Sequence, residues 1–377
     1  MDTIDIYKKR RDAVSTWLKE NKTAAAVFID NEDCRSQTVR YFTNHPSDAI
    51  VVISSSGKSI LCPWDEILAS KISSCDSTVP YTKYDRDPVK AVSALLKLLK
   101  ISENSKIDLP PQITYPDFLE YIDALSGYDV LCRKIGAHAF TAKMRETKDE
   151  AEIKAHKKAA AITDSIIDKI EEAVKANKIK TETDVALLIE KKLRALGAEC
   201  TSFDTLAAGP ERSFGIHAFP SYTAASFPGQ GLSILDFGVK FNGYCSDVTL
   251  TFAVGPLTEA QNEQLALIEK AYAAGLKNYQ PGVPVRQAAM KVNDVFAKAK
   301  KKMPHSLGHG VGLDIHEPPF VRAQANLDTV FKPGMIVTLE PGLYDKKNGG
   351  CRWENDILIT EKGNESLTHS RIIRINC

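Results

Sequence analysis

The 377-residue chain has almost no surplus of charge: 49 basic side chains face 48 acidic ones, a net +1. Nucleic-acid binding draws on a basic excess to displace counterions, so nucleic acid is not an expected partner. Long apolar runs are also missing. The longest, such as Ala24 to Ile29, have strand length and fall far short of a membrane span. The first twenty residues mix apolar and charged side chains, with no uninterrupted apolar stretch of signal-peptide length. The eight cysteines are scattered and none forms a C-x-x-C pair, so neither a zinc ribbon nor a dithiol redox motif is indicated. They read as the reduced thiols of a cytoplasmic protein that does not contact a membrane and whose core needs no disulfides.

What is present is a globular composition, 43% hydrophobic and 26% charged, over a length that suits two domains. The first third alternates helix and strand signals. Helical periodicity near 5–20 and in the segment from Pro88 to Lys100 is interleaved with buried-looking strands at Ala24–Ile29 and Ala49–Ser54. That pattern predicts a sheet covered by helices. A long helix then starts near 149, with Thr147 as cap and Glu150 three residues later. The domain boundary is expected at 138/139.

The second part carries one pattern twice: two helices and then a hairpin. The helices are expected near 149–176 and 182–197, and again near 258–278 and 284–301. In the first hairpin, apolar strands flank Asn242-Gly243, a strong hairpin-turn signal, with Asp236 and Asp247 on either side. Pairing the strands makes the two acids direct or diagonal neighbours, roughly 5–8 Å apart if they share a face. In the second, Asn348-Gly349-Gly350 turns between Glu340 and Glu354, with Glu340 further from the turn. A single acid on such a strand reads as a solvated residue or a salt-bridge partner. Four acids flanking two turns in otherwise apolar strands do not. Close carboxylates repel until one takes a proton or a cation binds. Between the hairpins, Gly308, Gly310 and Gly312 strip side chains from around His309, with His316 nearby. An oxygen-rich set with one imidazole suits Mn²⁺, Co²⁺, Zn²⁺ or Fe²⁺, and four carboxylates for one histidine favour two ions.

The succession D-F-G…G-Y-x-S-D-x-T, G-H-G-x-G-L-x-x-H-E-x-P, L-E-P-G and R-x-E over about residues 145–365 resembles the pita-bread metallopeptidases, in particular their prolidase and aminopeptidase P branch. The resemblance implies an α+β fold: a pita-bread catalytic domain over 139–377 behind an α/β creatinase-like N-terminal domain over 1–138. It implies two divalent metal ions, Mn²⁺ first, with Asp236 on one, His309 and Glu340 on the other, and Asp247 and Glu354 bridging. It makes His217, in Gly215-Ile-His217-Ala-Phe-Pro220, a substrate contact that assists proton movement. His316 becomes the group that polarises the scissile carbonyl, and Glu340 the proton relay. Arg352 resembles the arginine of the prolyl-specific branch and is expected to order a bridging carboxylate or to bind substrate. The implied activity is Xaa-Pro dipeptidase, acting on short peptides with proline in second position, and the implied assembly is a homodimer. The alternative is an Xaa-Pro aminopeptidase acting on longer peptides. A metal-free creatinase-like hydrolase or an inactive binding protein of the same fold would lack ligands that this chain retains.

Overall fold

The computed structural model describes residues 3–376. The chain divides into two compact units between Met144 and Arg145. The first contains α1 (Thr3–Glu20), β1 (Ala25–Asp30), α2 (Thr38–Thr43), β2 (Ala49–Ser54), β3 (Ser59–Pro63), α3 (Glu66–Ile72), β4 (Ser77–Thr78), α4 (Pro88–Leu98), β5 (Lys106–Leu109), α5 (Tyr115–Ala124) and β6 (Asp129–Cys132). The strands form one mixed sheet in the order β4-β3-β2-β1-β5-β6, with β1 antiparallel to β2 and parallel to β5. Up to their last residues, Asp30 and Ser54, β1 and β2 are apolar runs, and both strands are buried throughout. On one side Val27, Val52 and Ile107 pack against Leu95 of α4 and Tyr121 of α5. α4 begins where Asp87 accepts hydrogen bonds from the amides of Val89 and Lys90, with Pro88 preset for the first turn.

The boundary expected at 138/139 falls inside a helix, α6 (Ala137–Arg145). The reason is local. The Asp108 carboxylate, on β5, accepts the Ala137 amide at 2.6 Å and so anchors the helix start to the first unit. Gly136 makes this approach possible, since a Cβ there would lie 2.3 Å from Asp108 Oδ2.

The second unit opens with α7 (Glu150–Lys175) and α8 (Glu182–Ala195). The cap of α7 is Asp149, not Thr147: Asp149 and Glu152 form a reciprocal capping box. Strands follow: β7 (Cys200–Thr201), β8 (Leu206–Ala208), β9 (Gly231–Phe237), β10 (Val239–Phe241), β11 (Tyr244–Cys245) and β12 (Val248–Val254). The second round comprises α9 (Glu259–Asn278), α10 (Val285–Lys298), β13 (Gly308–Gly310), β14 (Glu317–Val321), β15 (Ile336–Leu339), β16 (Gly342–Asp345), β17 (Gly349–Arg352), β18 (Asn355–Thr360), β19 (Gly363–Ser366) and β20 (Ile372–Ile375).

The two largest sheets of this unit run β20-β12-β9-β8 and β14-β13-β15-β18-β19. α7 and α8 bury Ile166, Ile170, Ile189 and Leu193 against Leu235, Leu250 and Phe252 of the first sheet. α9 and α10 bury Ile268, Val292 and Phe296 in a cluster with Val337, Leu339 and Ile357 of the second. Each helix pair is thus amphipathic towards its own hairpin. The sheets are joined by an antiparallel bridge, Thr249 to Glu354. Among the described residues no helix is long and apolar enough to cross a membrane, and the seven described cysteines are free thiols.

Candidate metal centre and active site

The first hairpin turns at Asn242-Gly243, where both residues take positive φ, 48° and 85°, as a type I′ turn requires. Beyond it, the register pairs Asp236 with Thr249. Asp247 lies two residues from Thr249, so the two acids are diagonal neighbours. In the second hairpin Leu339 pairs with Asn355 and Gly342 pairs with Arg352. One continuous register therefore sets Glu340 opposite Glu354, and the greater distance of Glu340 from the turn is an effect of where the loop sits. The Thr249–Glu354 bridge then brings the hairpins together, with the Thr249 hydroxyl donating to Glu354 Oε2 at 2.6 Å.

All eight residues named from the sequence line one cavity of about 520 Å³: Asp236, Asp247, His309, Glu340, Glu354, His217, His316 and Arg352. Asp247, His309 and Glu354 are buried and present ligand atoms within 4.8 Å of one another. Asp236 and Glu340 line the same cavity outside that tight group. His309 Nδ1 lies 3.1 Å from the Gly310 carbonyl, which leaves Nε2 facing Asp247 Oδ2 at 3.6 Å and Glu340 Oε1 at 3.7 Å. The ring of His316 stands 4.4 Å from that of His309.

Four crowded acids change one another's chemistry. Burial, and then the charges of Glu354 and Asp236, lift Asp247 well above the ordinary carboxylate range. Burial and Glu354 do the same to Glu340. Glu354 itself is pushed up to about 7 by burial and the charge of Asp236, against a lowering pull from Arg352. Burial lowers His309 to about 4, so its imidazole is neutral near pH 7 and its Nε2 is open as a ligand. Asp236 Oδ1 is buried with no hydrogen-bond partner, while Oδ2 accepts from Arg352 Nη2 at 2.5 Å. Carboxylates whose affinity for protons is raised by burial and mutual repulsion, an orphaned carboxylate oxygen and an imidazole lone pair aimed at them are a donor set that fits divalent cations.

Arg352 is not free to reach outward. Its Nε donates to Thr249 Oγ1 at 2.8 Å, and its Nη1 donates to the Tyr344 hydroxyl at 2.8 Å and to the Ile216 carbonyl at 3.1 Å. With Nη2 on Asp236, all three of its nitrogens have partners within the protein. Three residues unassigned by sequence reasoning complete the site. Thr249 ties Glu354 to Arg352. Tyr344 joins Arg352 to His305 Nε2, 3.0 Å from its hydroxyl. His305 lines the cavity with Nδ1 3.7 Å from Glu340 Oε2. Spacing held the available signal: His305 is four residues before His309, Tyr344 four after Glu340, and Thr249 two after Asp247.

Fold and site together define a metallopeptidase, a divalent-metal enzyme with a buried acid–histidine cluster. The chain belongs to metallopeptidase family M24, whose sequence pattern matches residues 154–361. It is 36% identical over 230 residues to an Xaa-Pro dipeptidase of Pyrococcus horikoshii, a match covering 60% of this chain and 63% of that protein. Among solved structures, the Xaa-Pro dipeptidase from Bacillus anthracis superposes with a TM-score of 0.83 at 27% identity, over 98% of this chain and 100% of that one. The X-Pro aminopeptidase from Thermotoga maritima superposes with a TM-score of 0.82 at 24% identity, over 97% and 99%, a likeness of fold. The α+β architecture is thus the pita-bread fold with its N-terminal companion unit, shared over nearly the whole chain.

Proposed function

We propose that this protein is an Xaa-Pro dipeptidase that holds two divalent ions, Mn²⁺ first among them, on Asp236, Asp247, His309, Glu340 and Glu354. The observation that carries the reading is the opposition of Glu340 and Glu354 in one register, bridged through Thr249 to the first hairpin, under a cavity walled by His217 and His316. Ions held there supply acidification of water and polarisation of the scissile carbonyl. The protein's own groups do the rest.

Glu340, whose carboxyl group is pushed towards the protonated form, takes the proton released on attack at a carboxylate oxygen and returns it to the leaving proline nitrogen. His316 is held below its ordinary value chiefly by burial. It meets the substrate as a neutral imidazole able to donate one N–H to the carbonyl oxygen. His217, on the same wall, contacts the substrate and assists the proton's passage. Arg352 fixes Asp236 and, through Thr249, Glu354, so its part is positional.

The name borne by the 36%-identical Pyrococcus relative supports the dipeptidase reading. Incubating Mn²⁺-loaded protein with Ala-Pro and with Ala-Pro-Ala, and measuring free alanine, tests it. Release from Ala-Pro alone is the expected result. Efficient release from Ala-Pro-Ala would make the protein an aminopeptidase, and release from neither, with metal bound, would remove the prolyl assignment.

A further inference from the structure

The turn that presents His316 is closed from below by a buried ion cluster that the proposed chemistry leaves unused. Glu317 follows His316 directly and is 5% exposed. Arg145 Nη2 donates to Glu317 Oε2 at 2.6 Å and to Asp314 Oδ2 at 2.7 Å. Lys148 Nζ donates to Glu317 Oε1 at 2.7 Å from a side chain only 1% exposed. The Lys148 amide also donates to the Gly334 carbonyl, and the Cys245 amide donates to the Gly312 carbonyl. The turn is therefore held at its base, at its middle and along the strand behind it. Gly312 admits the carboxylate: a Cβ there would lie 2.1 Å from Glu317 Oε1.

A buried ion cluster is a poor source of stability, because desolvation consumes most of its Coulombic gain. Its place, one residue from His316 and across a β-bulge from His309, gives it a different use. We propose that Arg145, Lys148 and Glu317 are positioning residues that lock the 310–317 turn so that the His316 ring stands over the metal-ligand cluster. The inference rests on the reading of His316 as the group that meets the scissile carbonyl.

Removing one charge alone would leave an uncompensated buried ion and threaten folding. The informative variant is the double change Lys148→Met with Glu317→Gln, which leaves Arg145 paired with Asp314. The prediction is a folded protein with wild-type Mn²⁺ content and kcat on Ala-Pro lowered about 10–100-fold, as for other residues that orient a working group. KM should stay within about threefold, because ground-state binding is not what the turn supplies. Adding His316→Ala should lower kcat little further, since both changes remove one contribution. Backbone amides of 311–317 should exchange with solvent at least about tenfold faster while the rest of the second unit is unchanged. Unchanged exchange in this turn, unchanged kcat, or losses that multiply with those of His316→Ala would each overturn the proposal. If wild-type protein hydrolyses neither peptide, the site reading has failed, and the exchange measurement alone decides whether the turn is locked.

Discussion

Glu340→Gln is expected to lower kcat on Ala-Pro by about 10²–10⁴-fold, the range typical of losing a positioned acid–base group. The change keeps the shape of the side chain and removes its ability to carry a proton. Glu340 stands opposite Glu354 in the hairpin register, 3.7 Å from His309 Nε2 on one side and 3.7 Å from His305 Nδ1 on the other. Burial, then the charge of Glu354, hold its carboxyl group well above the ordinary range. It thus holds a proton more tightly than a free carboxylate does. Because Glu340 is also assigned as a ligand, the assay belongs at saturating Mn²⁺, with metal content measured on the same sample. A variant that keeps full metal content and loses less than about threefold in kcat would show that the proton travels elsewhere.

The second large effect is on metal affinity. Asp247, Glu340 and Glu354 all have raised values in the metal-free protein, Glu354 at about 7. The sign follows directly. Protons that these groups hold must be displaced by a cation, so binding releases protons and tightens as pH rises through the range in which they titrate, near pH 7 for Glu354. His309, at about 4, is already neutral and adds nothing to this dependence above pH 6. With one proton displaced from Glu354, Kd for Mn²⁺ should fall about fivefold from pH 6 to pH 7. Titration calorimetry in two buffers of different ionisation enthalpy counts the protons directly. A Kd that is flat across that range, with no proton release, would mean that the acids are already ionised and that the crowding has no consequence.

The acids and the histidine that share the cavity are legible in the sequence because they sit at turns and glycines, where local chemistry is distinctive. Asn242-Gly243 announced the first hairpin, and the glycines around His309 announced a close approach. The partners of those residues were not readable in the same way. Thr249 and Tyr344 matter because two sheets meet at the Thr249–Glu354 bridge and because Arg352 reaches across it. Such pairings depend on contacts between strands distant in sequence, and no local pattern encodes them. Arg352 shows the cost: its spacing from Glu354 was legible, but only the fold reveals a guanidinium turned inward to Asp236.

The cap of α7, expected at Thr147 and found at Asp149, differs for another reason. Thr147…Glu150 and Asp149…Glu152 are equally good capping patterns two residues apart. The choice is made by tertiary contact. Lys148 must send its side chain to Glu317 and its amide to Gly334, so the chain enters the helix only after it. The boundary at 138/139 was displaced in the same manner, by the hold of Asp108 on the Ala137 amide.

Metal stoichiometry is the most direct test of the proposed two-metal centre. Chelator-treated protein would be dialysed against millimolar Mn²⁺ and then against metal-free buffer, with bound metal counted by mass spectrometry beside a Glu354→Ala variant. Two ions per wild-type chain and a loss of bound metal in the variant are expected, with both proteins folded. A folded wild-type chain that retains no Mn²⁺, Co²⁺, Zn²⁺ or Fe²⁺ under these conditions would contradict a two-metal centre.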